Sequence, residues 1–403
     1  MSSVHPPLGR NRDFVALWVG GAISNLGISI SSFAYPVVVL GATDSAAKAG
    51  LVGSVLTATT FVVRLPAGAL TDRWNRRRLM VACDAGRAAA SASLALALAL
   101  GRFHLWHVLL VACAEGSLGT LFGPSESAAV RLVVAPDQRR EAVARNASRG
   151  QLPSVIGPPL GGVLLSAGRA LPFLADALSY LVSLVAILTV RTPLREPAAD
   201  REAATGGIFE GIRWIWRHSF LRALVVWMSL ETLVFGGIGL VIVVLARDAG
   251  ASARELGVLF AITGTGSVAG AFATPWLLRA VAPWTLVVGF SWIFTAATAL
   301  LLAVQSPYLI GLIGAAAFFL VPSLGSLLLA SIAEEAPDRL QGRAVAGALQ
   351  VAMLAAPVAP LCAGVLAEAL GPRRTIAVYA GFLLLLALGA SVRSRASRAP
   401  LGR

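Results

Sequence analysis

The 403-residue chain has little charge, few cysteines and one lysine. Charged residues make up 13% of it, whereas a soluble domain carries about a quarter. A water-soluble globular protein is therefore a poor reading. The single lysine, Lys48, lies in A-A-K-A-G, so no P-loop with its phosphate-binding Lys is encoded and ATP does not drive this chain. Cys83, Cys113 and Cys362 all fall in apolar stretches and read as small hydrophobes. With no H-E-x-x-H and no cysteine pair, a resident metal is not expected, nor an organic cofactor, nor a catalytic site.

What the chain has in excess is apolar surface, at 57% hydrophobic residues. Apolar runs long enough to cross a bilayer occur twelve times, at 14–40, 49–70, 79–100, 106–129, 150–167, 171–190, 221–245, 256–278, 283–304, 308–330, 344–370 and 375–392. The first run is too long for a signal-peptide core and no small-residue cleavage site follows it, so it is expected to stay as an anchor. Lys and Arg alternate between the gaps, with 24 on one side, 7 on the other, and Arg64 and Arg87 inside spans. Cytoplasmic loops are the basic ones, so both termini are assigned to the cytoplasm and the net charge of +13 calls for no nucleic acid.

The chain divides into two. Residues 1–190 form six spans, 191–220 a cytoplasmic linker, and 221–403 six more. Within the linker Ile208, Phe209, Ile212, Ile215 and Trp216 share one helical face, which suggests an interfacial helix. Ala135-Pro136-Asp137 recurs as Ala336-Pro337-Asp338, and G-P-P-L-G-G-V-L from Gly157 recurs as A-P-L-C-A-G-V-L from Ala359. The offset of about half the chain relates spans 5 and 11, which run in the same direction. This parallel repeat belongs to transporters that rock two halves about a midplane site.

At the end of span 2 stands G-A-L-T-D-R-W-N-R-R-R, Gly68 to Arg78. It resembles the major facilitator superfamily signature G-x-x-x-D-R-x-G-R-R, matched by Gly68, Asp72, Arg73, Arg76 and Arg77. Asn75 replaces the inner Gly, a mild departure because Asn tolerates left-handed backbone. C-D-A-G-R (83–87), F-L-A-D-A-L-S-Y (173–180), G-I-R-W-I-W-R-H (211–218) and A-P-D-R-L-Q-G-R (336–343) look like the drug:proton antiporter branch that includes macrolide and siderophore exporters. Span 5 is similar to the helix-5 antiporter motif through Gly157, Pro158, Gly161 and Gly162, with Pro153 in the first Gly position. Relatives that carry an Arg in helix 4, four residues before a Gly, use it in proton transfer. Here Gly119 is present but Glu115 holds that position, so the arginine's role does not carry over.

The resemblance implies an all-α membrane protein of twelve transmembrane helices in two six-helix pseudo-symmetric bundles, with helices 1, 4, 7 and 10 around a cavity. It implies a secondary transporter that exchanges protons for an amphipathic or hydrophobic small molecule. Membrane lipid is its other partner, one chain suffices, and a bacterial-type plasma membrane is its place. Solute uptake or lipid movement is the alternative within transport, and a transport-inactive scaffold or sensor the alternative outside it. Buried charges need reasons. Glu115 and Glu231 sit well inside spans 4 and 7 and are the proton-coupling candidates. Asp84 and Arg87 can pair on one helix face, and with Arg64 and Glu126 they compose a candidate inner gate. Asp176 reads as structural. Asn25, Ser29, Tyr35, Trp227, Phe235, Phe318 and Phe319 are candidates for a mostly apolar cavity wall.

Overall fold

The computed structural model describes residues 7–194 and 208–398, without the side chains of 68–73, 147, 148, 151, 208 and 395–398. All regular structure among the described residues is helical. Among the described residues ten helical segments, with Pro307–Glu335 taken as one, are long and apolar enough to cross a membrane, and two apolar helices, Leu152–Ala167 and Ala359–Leu370, are shorter. These two shorter helices belong to spans 5 and 11, the pair related by the repeat.

The chain separates into two compact units, Met1–Asp44 with Val55–Ala203, and Ser45–Ser54 with Ala204–Arg403. The first contains α1 (Arg12–Thr43), most of α2 (Ala46–Arg73), α3 (Arg76–Ala99), α4 (Leu105–Val133), α5 (Arg139–Ser148), α6 (Gln151–Ala167) and α7 (Leu171–Thr189). Here α1 packs on α6 and α7, and α3 on α4 and α7. The second contains the start of α2, α8 (Ile208–Arg217), α9 (Ser219–Asp248), α10 (Ala253–Ala280), α11 (Pro283–Leu300), α12 (Pro307–Phe318), α13 (Val321–Glu335), α14 (Asp338–Ala352), α15 (Ala359–Leu370) and α16 (Pro372–Arg398). Its α9 packs on α15 and α16, and its α11 on α12 and α16. Counted by spans, each unit thus pairs its first with its fifth and sixth, and its third with its fourth and sixth.

Sequence chemistry sets the helix ends. Asn11 caps α1 by accepting from Phe14 N–H, and Asp44 ends it in left-handed backbone at φ 48°. Ser252 and Glu255 form a capping box at α10. Asn75, expected to replace a left-handed glycine, is instead extended at φ −66°, ψ 114°, and caps α3 through Arg78 N–H. The signature's Asn is therefore a helix start, which its short side chain suits.

Span 11 is not one helix. It breaks between α14 and α15, where residues 353–358 form turns and Pro357 removes a donor. Span 5 begins only after the break between α5 and α6, so both repeat members are helix, break, helix. Span 10 breaks likewise between α12 and α13, where Pro322 removes a donor.

Close helix approach uses glycine. A Cβ at Gly157 would strike the Ser29 side chain, and one at Gly161 would lie 2.8 Å from Phe33, so α6 lies against α1. Gly162 is buried on the same helix and Pro158 half-buried. The linker helix α8 does not present one apolar face to lipid. Gly211 meets the backbone of Arg343, and Gly347 leaves room for Ile212, so α8 is locked onto α14 with Ile215 fully buried. Phe209 and Trp216 remain exposed.

Candidate functional site

In the first unit α1, α2, α3 and α4, with Arg149 and Tyr180, line an open cavity of about 690 Å³. Asn25, Ser24 and Ser32 reach it from α1, Thr60 and Arg64 from α2, Arg87 from α3, and Glu115, Thr120, Phe122 and Glu126 from α4. Such a volume suits a drug-sized ligand, and a few polar groups in an apolar wall would orient one.

Arg87 is buried and pairs with Asp84 one turn earlier, a contact the three-residue spacing makes available. Its guanidinium also lies over two rings, 4.7 Å from the Phe122 centroid and 4.3 Å from that of Tyr180. Such cation–π contacts add roughly 0.5 to 2 kcal/mol each.

Glu126 does not join that pair. Arg149 grips it instead, Nη1 to Oε1 at 2.7 Å and Nη2 to Oε2 at 2.8 Å, with both residues buried. Arg149 Nη1 also donates to Leu17 O at 3.4 Å. Gly21 makes the space: a Cβ there would stand 2.5 Å from Glu126 Oε1 and 2.6 Å from Arg149 Cζ. The four expected gate residues thus fall in three places: the Asp84–Arg87 pair, Glu126 on Arg149, and Arg64 exposed at the cavity edge. Arg149 belongs to a basic loop in the sequence, where a guanidinium is normally solvated, so nothing local signals its burial.

Glu115 lies on the cavity wall and bonds to Ser91, whose hydroxyl stands 2.7 Å from Oε1. The same hydroxyl stands 2.9 Å from Asp176 Oδ2, and Ser91 and Asp176 are fully buried. Asp176 therefore has a specific neighbour among the expected coupling residues. Spacing does carry a signal for this: Asp84, Arg87 and Ser91 share a helix face, as do Asp176 and Tyr180.

Of the expected cavity wall, Asn25 lines the cavity, while Ser29 faces Gly157 of α6. Tyr35 is buried edge-on to Phe173 at 5.0 Å. In the second unit Trp227 stands edge-on to Phe290 at 5.7 Å, and Phe235 lies 4.8 Å from Phe318. Phe319 sits at the break of span 10, its carbonyl against Gly270. Beside the Trp227 ring system Glu231 is 4% exposed, facing the Ser291 hydroxyl and with no ion pair among the described residues.

The side chains of Gly68, Asp72 and Arg73 lie outside the described residues. Beyond them Arg76 is buried, and Arg77 Nη2 donates to Leu188 O, satisfying a carbonyl in the last turn of α7. No group of three or more metal-ligating side chains occurs among the described residues.

Ten membrane-length helical segments among the described residues and a repeated helix arrangement define a polytopic membrane protein with the helix arrangement of the major facilitator superfamily. The chain belongs to the transmembrane secretion effector family of that superfamily, whose model matches residues 2–399. It is a transporter and not an enzyme. It is 24% identical over 333 residues to the enterobactin exporter EntS of Salmonella typhimurium, covering 82% of this chain and 80% of that one. To the multidrug efflux pump Tap of Mycolicibacterium fortuitum it is 27% identical over 241 residues, covering 55% and 57%. Among solved structures it resembles the inward-facing, occupied form of a bacterial homolog of the human lysosomal transporter Spinster. The TM-score is 0.75 at 17% identity, over 97% of this chain and 98% of that one. The nucleoside transporter NupG gives 0.79 at 12%, over 94% and 99%. At these identities the structures speak for the fold.

Proposed function

We propose that this protein exports an amphipathic or hydrophobic small molecule of drug, antibiotic or siderophore type, in exchange for protons, by alternating access. The observation that carries the reading is a carboxyl, Glu115, on the wall of a cavity of about 690 Å³. A second buried carboxyl without an ion-pair partner, Glu231, supports it. An ionised carboxylate in an apolar setting is costly unless paired, so such groups pick up and release protons as their access to water changes. The exporter relatives support the direction. Gly68, Asp72, Arg73, Arg76 and Arg77 are the proposed switch loop, and Gly157, Pro158, Gly161 and Gly162 the proposed sliding contact of α6 on α1.

The test is a panel of such compounds offered to the purified protein in proteoliposomes under an imposed pH gradient. Accumulation of at least one, lost when the gradient is collapsed, is the expected result. Equal distribution of the whole panel with and without the gradient would overturn the reading.

The basic-residue asymmetry supports both termini being cytoplasmic, and the bacterial exporter relatives support an inner membrane. After removal of the native cysteines, a single cysteine at position 75 should resist an impermeant reagent in intact cells, whereas cysteines at 48 and 374 should react. Ready labelling at 75 would mean the opposite orientation.

A further inference from the structure

The Ser91 hydroxyl has one proton to donate, yet carboxyl oxygens stand within hydrogen-bond distance on two sides, Glu115 Oε1 at 2.7 Å and Asp176 Oδ2 at 2.9 Å. Were both carboxyls ionised, Ser91 would satisfy one, and the other would face a hydroxyl lone pair in a buried site. A single added proton resolves this. One acid O–H donates to Ser91 Oγ, and Ser91 donates to the remaining carboxylate. We propose that Glu115 and Asp176 form a carboxyl pair holding one proton, relayed through Ser91, and that this pair is the proton site of the first unit. Its part in transport rests on the proton-coupled reading above.

The surroundings fit a site that exchanges a proton. Asp176 Oδ1 is buried next to Gly27, where a Cβ would stand 2.8 Å from it. From α1 the Tyr35 hydroxyl, 4% exposed, faces the pair from the Glu115 side. It is the donor available to the second carboxylate once the proton has left. Ser31 of α1 also faces Asp176. From α3 comes Arg87, already paired with Asp84, and from α7 Tyr180, whose ring Arg87 covers. The nearest part of α2 contributes Thr59, against Gly116, and its charged residue at the cavity is Arg64. Glu115 lines the cavity and Asp176 does not, so the proton enters and leaves by way of Glu115.

Infrared difference spectroscopy of the purified protein at neutral pH, in a Glu231→Gln background, tests the pair without substrate or transport. The protonated-carboxyl C=O band should disappear in Glu115→Gln and equally in Asp176→Asn. In each the new amide N–H takes over donation to Ser91 and leaves the other acid ionised. Tyr35→Phe, a milder change, should keep the band to higher pH. Loss of the band in one variant but not the other would place the proton on a single acid and overturn the proposal. Retention of about half in each would mean two protons and overturn it as well, as would no band in the parent. If both variants lose the band but uphill transport proves independent of the pH gradient, the pair stands and the coupling reading falls.

Discussion

Replacing Glu115 and Glu231 together by glutamine is expected to abolish uphill transport while substrate still binds. Both carboxyls are held inside helices, one on a cavity wall and the other buried at 4% exposure. Glutamine keeps the shape and hydrogen-bonding capacity of the protonated acid but has no proton to exchange. One proton moving down about 150 mV is worth roughly 3.4 kcal/mol, since each charge gives about 2.3 kcal/mol per 100 mV. At about 1.4 kcal/mol per decade that supports a gradient of a few hundredfold. The double variant should bring that ratio to about one. By linkage, a site that no longer exchanges a proton also binds substrate with less dependence on pH. Binding is measured by equilibrium dialysis or tryptophan fluorescence across pH, and accumulation in proteoliposomes. Undiminished accumulation with unchanged pH dependence would remove both acids from the coupling step.

The second large effect is on stability. Arg149→Ala should destabilise the first unit by about 3 to 5 kcal/mol, because it leaves the Glu126 carboxylate buried without its bidentate partner. Gly21→Ala should have a similar effect by another route, since its methyl would push the two side chains apart. Exchanging the pair for two uncharged residues of similar size, Glu126→Gln/Arg149→Met, should cost much less than Arg149→Ala, because no buried charge remains. Thermal unfolding in detergent, followed by circular dichroism, compares the three. A single variant no worse than the double would show that the ion pair carries no such cost.

Much of the fold is legible in the chain because the physics is local. A bilayer demands about 20 apolar residues per crossing, and the twelve runs coincide with helices or with interrupted helices. Two interruptions fall beside Pro322 and Pro357, whereas Pro36, Pro124 and Pro275 lie inside unbroken helices, and the pattern of hydropathy alone runs through all five. Pairs on one helix are legible too, since Asp84 and Arg87 need only a three-residue spacing to meet. Contacts between helices are not. Arg149 lies 23 residues from Glu126, and Asp176 lies 85 from Ser91. Such partners become visible only when α3, α4, α6 and α7 are packed. Asn75 shows a further limit, because a residue that tolerates left-handed backbone also caps helices, and only the dihedrals distinguish the two. The linker face behaves the same way, divided by Gly211 and Gly347 between burial on α14 and exposure.

The coupling of substrate to protons is the central claim, and it is tested most directly by running the exchange backwards. Proteoliposomes containing the protein and a trapped pH-sensitive dye are given an outward gradient of a transported compound with no initial pH difference. Proton movement opposite to the substrate, abolished in Glu115→Gln/Glu231→Gln, is the predicted result. Substrate movement with no change of internal pH in the unsubstituted protein would contradict it.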